Sequence, residues 1–312
     1  MESVHEPVLL HETVEALVRG RGESRPNAAP WYLDGTLGGA GHALAVAEAL
    51  KGKLGIVGLD RDPDAIARAK AKLAGAAEEV ILENASFRSL GAVLDKHGIA
   101  AVDMVLFDLG ISSDQLDRSG RGFSFQRDEA LHMTMGDPAS HPFTAKDIVN
   151  GWEEASIADA IYAYGEERFA RRIARAIVSY RAKKPIETSA ELAEVVKGAV
   201  PALRRHGPGA RRIHPATRTF QALRIAVNDE LAALKDGLAA GYERLAPGGR
   251  MAVISFHSLE DRIVKEFFRA KAAEGAELAS KKPVAPSDEE IERNPRSRSA
   301  KLRAIAKPAA NI

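Results

Sequence analysis

The sequence predicts an α/β fold: a parallel sheet covered on both faces and interrupted by a smaller helical domain. Three observations carry this. Short Val-, Ile- and Leu-rich runs alternate with longer alanine-rich ones up to Gly110. Strand character then disappears between about Ile111 and His214, and it returns only at GGRMAVISFHS. Alternation of this kind signals βαβ units, whose strands are buried on both faces and so read as near-continuous apolar runs.

Taken in order, WYLDGT, LGIVGLD, EVILENAS and VDMVLFDLG read as strands, each passing from apolar to polar residues at its end. Between them GHALAVAEALKG, DPDAIARAKAKLAG and SLGAVLDKHG have helical length and composition. GWEEASIADAIYAYGEERFARRIARAIVSYRAKK and TSAELAEVVKGAVPALRR then read as helical, and TRTFQALRIAVNDELAALKDGLAAGYERL as one long helix before the next strand. The domains expected are therefore 1–110 plus 215–312 for the sheet, and 111–214 for the insertion. After about Ala272 the Lys-, Pro- and Glu-rich tail reads as loose as far as NPRSRSAKLRAIAKP. No internal repeat is found.

The 312 residues suffice for this arrangement. There is no cysteine, which excludes disulfides, cysteine nucleophiles and cysteine-ligated metals, and no metal ligand is assigned. Net charge is +1, so any nucleic-acid contact must come from local clusters of Arg and Lys. MESVHEPVLLHETVEALVRG mixes acids and histidines into its apolar positions, unlike a signal peptide. No apolar run nears the roughly 18 residues of a membrane span. A cytoplasmic enzyme is the expectation.

The loop after the first strand, DGTLGGAGH, holds Gly35, Gly38, Gly39 and Gly41 before a helix, a pattern that cradles nucleotide-like ligands. A P-loop would follow its last glycine with Lys and then Ser or Thr, whereas His42 follows Gly41. The glycine spacing also fits a dinucleotide fingerprint poorly. S-adenosylmethionine (SAM) suits the acid Asp34, the short loop, and Asp60 ending the second strand, where a carboxylate can accept from ribose hydroxyls. Asp60 could equally cap the helix opening at Asp62-Pro63, and the roles could be shared among Asp60, Asp62 and Asp64. Phe87 could flank adenine or make a core contact. Asp108 ends an apolar strand, where an unpaired acid is costly, which favours a functional role.

With these residues placed, the chain resembles the RsmH/MraW family of SAM-dependent 16S rRNA methyltransferases. The likeness runs through HEPVLLHETVEAL, DGTLGGAGH, GLDRDPDAI, DLGISSDQLD, RGFSFQRD, YGEERFARRIARAIV, HPATRTFQALRIAVNDEL, APGGRMAVISFHSLEDRIVKEFF and NPRSRSAKLR. It implies a Rossmann-like class I SAM methyltransferase sheet with the inserted helices recognising substrate. It also implies methyl transfer to N4 of a cytidine in the decoding (P-site) region of 16S rRNA, within the small ribosomal subunit, with a homodimer left open. SAM contacts carried over fall on Ala40, Gly41, His42, Asp60, Phe87, Asp108 and Gln115. Gly35 and Gly38 are expected to shape the turn. One stretch departs from the family: RDEALHMTMGD places His132, Thr134 and Gly136 where acids and an arginine are usual.

Many amino-methyltransferases end the fourth strand with Asp/Asn-Pro-Pro-aromatic; DLGISS here lacks it. Candidates for the acceptor near N4 are Asp108, the Ser112–Ser113 pair and His257, the serines being equally good turn or helix caps. Candidate phosphate contacts are Arg168, Arg171, Arg172 and Arg175, then Arg204, Arg205, Arg211, Arg212 and Arg218, and Arg296, Arg298, Lys301 and Arg303 near the C-terminus. Solvated helix faces paired with glutamates are the alternative for Arg168–Arg175.

Overall fold

The computed structural model describes residues 7–19, 29–112, 115–116, 119–201 and 214–309. The chain divides into two compact units, Met1–Gly110 with Leu231–Ile312, and Ile111–Glu230. Among the described residues no helix is long and apolar enough to cross a membrane.

The first unit is built on a seven-stranded sheet. Its strands are β1 (Trp31–Asp34), β2 (Gly55–Asp60), β3 (Glu79–Asn84), β4 (Val102–Asp108), β5 (Leu245–Ser255), β6 (Glu277–Leu278) and β7 (Lys301–Ala306). They lie in the order β3-β2-β1-β4-β5-β7-β6. The first five are mutually parallel, and β7 runs antiparallel to both β5 and β6. This is the Rossmann-like sheet that the sequence predicts. The chain leaves β1 toward β2 and β3 and then returns to β4 on the other side of β1, so the topological switch falls between β1 and β4.

Helices α1 (Leu10–Val18), α2 (Gly41–Ala49), α3 (Pro63–Lys72) and α4 (Leu90–Lys96) belong to this unit. Two apolar clusters lie on the two faces of the sheet, one around Leu33, Val57, Val105 and Phe107, the other around Tyr32, Ile56, Met104 and Ile254. Successive strand residues alternate between them, as the pleat requires.

The second unit is helical: α5 (Ala145–Gly151), α6 (Glu154–Gly165), α7 (Ala170–Arg181), α8 (Ser189–Ala199) and α9 (Thr217–Asn228). Ile148, Ile157, Ile161, Ile173, Ile177, Leu192, Phe220 and Leu223 share one buried core. The stretch that departs from the family is tightly bonded here. Arg121 Nη1 donates to the carbonyls of Thr134 and Gly136, while Asn228 accepts from Met135 N and donates to Met133 O.

Three expectations need correction. The long helix is two, α9 and α10 (Glu230–Glu243), broken at Asp229, which adopts φ 50°, a left-handed conformation that Asp tolerates. The second boundary accordingly falls at 230 rather than 214, because α9 joins the helical core through Phe220, Leu223 and Val227. Finally, the tail is ordered. After α11 (Ser258–Ala273) come β6, α12 (Asp288–Arg293) and β7, whose Leu302, Ala304 and Ile305 are buried against β5 and its neighbours.

Candidate active site

Hydrogen bonds hold the ends of β1 and β4 together at the switch point. Gly35 N donates to Leu106 O at 2.9 Å, and Asp108 N donates to Thr36 Oγ1 at 2.6 Å. Asp34 is buried and accepts from Tyr32 Oη at 2.9 Å and Thr36 N at 3.1 Å. Burial pushes its carboxyl up to about 6, against those two hydrogen bonds and with the help of nearby Asp60.

The glycine loop owes its shape to its neighbours. A Cβ on Gly35 would lie 2.4 Å from the Phe107 ring, and one on Gly41 2.3 Å from Pro7 Cγ. Gly38 has φ 49°, and its N–H donates to Asp60 Oδ2 at 2.8 Å. Gly39 differs from these three. The nearest atom to a Cβ there is Lys72 Nζ at 3.8 Å, and the same ammonium donates to Gly39 O at 3.1 Å. Packing therefore accounts for Gly35 and Gly41, and backbone geometry for Gly38. Ala40, at φ 58° and fully buried, opens α2 with no side-chain cap.

His42 is buried in the first turn of α2. Its Nε2 lies 3.0 Å from Val8 O and its Nδ1 3.7 Å from Asp108 Oδ2. The N-terminal segment Pro7–Val8 thus packs directly against the loop, a contact that sequence reading missed because nothing local signals a partner 34 residues away. The Asp108 side chain is 22% exposed, yet its Oδ1 is shielded and has no hydrogen-bond partner among the described residues. Burial, then the negative neighbours Asp34 and Glu260, raise its carboxyl well above the usual range.

Asp60 and Asp62 divide the roles that the sequence left shared. Asp62 caps α3 by accepting from Asp64 N at 3.2 Å, while Asp60 Oδ1 accepts from Asp62 N at 2.8 Å. Asp60 is raised by burial, opposed by its bonds to Asp62 and Gly38, and each of its oxygens keeps a further lone pair for a hydroxyl. Phe87 opens a short 3₁₀ turn and is half-buried, its ring 5.0 Å from Phe107 and against Gly237, so it makes the core contact on one side.

His257 caps α11. Its Nδ1 accepts from Glu260 N at 3.4 Å, and Glu260 returns a carboxylate to the backbone N–H groups of Phe256 and His257. This capping box is a structural assignment for His257. In the helical unit Ser112 and Gln115 bond reciprocally, Gln115 Oε1 accepting from Ser112 N at 3.0 Å and Gln115 N donating to Ser112 Oγ at 3.1 Å. Ser113 lies outside the described residues.

The arginines separate in the same way. Arg171 and Arg172 are exposed and make no ion pair among the described residues, whereas Arg168 lies over the Phe169 ring at 4.6 Å and Arg175 is 3.7 Å from Glu154. Arg218 donates to Glu166 O at 2.8 Å, tying α9 to the turn between α6 and α7. Lys301 and Arg303 both bond Asp261. Arg204, Arg205, Arg211 and Arg212 lie outside the described residues.

A site with one shielded, unpaired carboxylate oxygen, an uncapped helix start and a half-exposed aromatic has the donor and acceptor set that an adenosyl amino acid needs. Comparison with known proteins agrees with that fit. The chain is 46% identical over 321 residues to a Heliobacterium modesticaldum protein, spanning 97% of this chain and 98% of that one. It is 48% identical over 301 residues to a Deinococcus deserti protein, spanning 96% and 92%. Both are named ribosomal RNA small subunit methyltransferase H. The model of the MraW methylase family matches residues 2–308, so the chain belongs to that family and is a methyltransferase with SAM as its cofactor.

Proposed function

We propose that the protein methylates N4 of a cytidine in the decoding (P-site) region of 16S rRNA, within the small ribosomal subunit and in the cytoplasm. The relatives named as small-subunit rRNA methyltransferases support the RNA substrate. The observation that carries the choice of an amino group is Asp108, a carboxyl at the end of β4 whose Oδ1 has no donor among the described residues. An exocyclic N–H supplies one. A buried acceptor left without a donor costs about 1–3 kcal/mol, so such a site favours a substrate that donates.

SAM, when bound, supplies a methyl group on a positively charged sulfonium. Asp60 accepts the ribose hydroxyls, Phe87 flanks the adenine, and the start of α2 at Ala40–His42 faces the amino-acid end, with Gln115 as a further contact. Cytidine N4 is a weak nucleophile because its lone pair is delocalised into the ring. A carboxylate accepting from N4 localises that pair and orients it for in-line displacement. Ser112 bonds Gln115 and His257 caps α11, and in this reading Asp108 carries the acceptor role. The helical unit recognises the RNA, with Arg171 and Arg172 available to phosphates, Arg168 beside them, and Arg212 and Arg218 as the second group. The target base must be unpaired or flipped out. The homodimer enters no step of this reading.

The test uses purified protein, SAM carrying a labelled methyl group, and 16S rRNA that lacks the modification, both naked and in assembled subunits. Digestion to nucleosides should give N4-methylcytidine, with little or none from Asp108→Ala. Label on another atom, or near-normal turnover by Asp108→Ala, sinks the assignment. Turnover should also fall steeply with salt if arginine–phosphate contacts hold the RNA.

A further inference from the structure

The segment Pro7–Leu9 meets the glycine loop at two points. Pro7 fills the space beside Gly41, where a Cβ would lie 2.3 Å from Pro7 Cγ, and Val8 O accepts from His42 Nε2 at 3.0 Å. A short segment ahead of a helix has little conformational preference of its own, and ordering it costs entropy. Something must hold it.

The holding group comes from the far end of the chain. Glu290, buried on α12, accepts from Leu9 N through Oε1 at 2.8 Å, a contact spanning 281 positions. In a capping box, a glutamate three residues into a helix reaches back to the N–H of the N-cap residue. Leu9 is the N-cap of α1 and Glu12 occupies that third position, yet the Leu9 N–H goes to Glu290. The carboxylate also meets the positive end of the α1 dipole.

Backbone geometry marks the same place. Leu9 has φ 52° and ψ 39°, a left-handed conformation that a leucine keeps only where its surroundings enforce it. Ala40, on the facing loop, has φ 58°. Two strained non-glycine residues thus flank the contact between Pro7 and Gly41.

We infer that Glu290 is a positioning residue for SAM: by holding Leu9 N it sets Pro7 and Val8 against Gly41 and His42, and so fixes the start of α2. This role rests on the reading of the glycine loop as the cofactor site, and it ties the C-terminal tail to that site. Pro7 is half-buried and borders a cleft of about 440 Å³ together with Leu10, Val14, Ala45, Ser287 and Glu290. It is therefore packed on its loop side and open on the other. Without the Glu290 oxygen the segment has room to move outward, away from α2. SAM then loses support that it has equally in the ground and transition states, a loss that raises KM and leaves kcat unchanged.

The experiment compares Glu290→Ala with Glu290→Gln, whose amide oxygen can still accept from Leu9 N. Calorimetric titration with SAM should show binding weakened about tenfold in Glu290→Ala and by less than about twofold in Glu290→Gln. The KM for SAM should follow the same pattern, with kcat within about twofold of wild type. Pro7→Ala acts on the same contact from the loop side, so adding it to Glu290→Ala should weaken binding far less than the product of the two single effects. Circular dichroism confirms folding, and if Glu290→Ala does not fold, Glu290→Asp, whose shorter side chain withdraws the carboxylate, takes its place. Unchanged SAM affinity in the alanine variant overturns the inference. So does a fall in kcat with KM unmoved, or equal weakening in Glu290→Ala and Glu290→Gln. Asp60→Ala separates the two readings. If it leaves SAM affinity intact, the cofactor site itself is misplaced; if it weakens binding while Glu290→Ala does not, only the positioning role fails.

Discussion

Gly35 gives the sharpest test of whether the loop is shaped by the protein or by its ligand. Alanine there would put Cβ at 2.4 and 2.5 Å from two atoms of the Phe107 ring and 2.9 Å from Phe87 Cβ. Ordinary carbon contacts lie at about 3.5–4.0 Å, so the overlap is about 1 Å. Phe107 cannot retreat: it is fully buried, its ring is 5.0 Å from that of Phe87, and a Cβ on Gly241 would already touch it at 3.4 Å. Overpacking of this kind costs about 1–3 kcal/mol, and a confined ring places Gly35→Ala at the upper end. Phe107→Leu alone should cost about 1–2 kcal/mol through lost contacts. In the double variant the leucine vacates the space that the new methyl needs. The pair should then be about 2 kcal/mol more stable than the sum of the single losses predicts. Urea unfolding at constant m measures all three. Additivity to within about 0.5 kcal/mol would refute the packing account of Gly35.

Two further predictions follow from the same loop. Gly41→Ala sets a Cβ 2.3 Å from Pro7 Cγ, so it should destabilise by about 1–3 kcal/mol and be partly rescued by Pro7→Ala; unchanged stability with weakened SAM binding would instead assign that space to the ligand. Asp34 links stability to pH. Its folded value of about 6 lies above the ordinary 3.8, so the protonated form is favoured in the fold, and the contribution, full below pH 3.8, is lost as pH rises through 6. The stability of the wild type relative to Asp34→Asn should fall by about 3 kcal/mol between roughly pH 3.5 and 7, and a flat difference would contradict the burial of that carboxyl.

Where a feature depends on local pattern it was legible before any coordinates. The five parallel strands announce themselves because burial on both faces makes each an apolar run, and Asp60 and Asp108 stand out as acids ending such runs. What escaped depends on distant partners. KLRAIA becomes a strand only because β5 offers it an open edge, and its outward Lys301 and Arg303 disguise the alternation by pairing with Asp261 on α11. The break at Asp229 has no glycine or proline to mark it. Pro7 and Val8 were visible as part of a family block, but their service to Gly41 and His42 is a tertiary contact. In the other direction, nothing in the strand end signalled that His257 Nδ1 also caps α11.

Charge also bears on the question that the glycine loop first raised, which of three ligands it holds. Asp34, Asp60 and Asp108 are all raised above the ordinary carboxyl range, and in each the largest cause is burial. These carboxyls offer no positive charge to a triphosphate or a pyrophosphate, whose usual sites present lysine or arginine. Lys72 Nζ, beside the loop, donates to the carbonyl of Gly39. An ionised carboxyl there lowers the free energy of a bound cation, and any proton that such a ligand must displace is set against that gain. SAM carries a fixed positive charge at its reactive atom. Transfer of the methyl group removes that charge, so the site should hold the product less tightly than the cofactor. That asymmetry favours turnover, and it comes from three buried acids rather than from any residue that touches the methyl group.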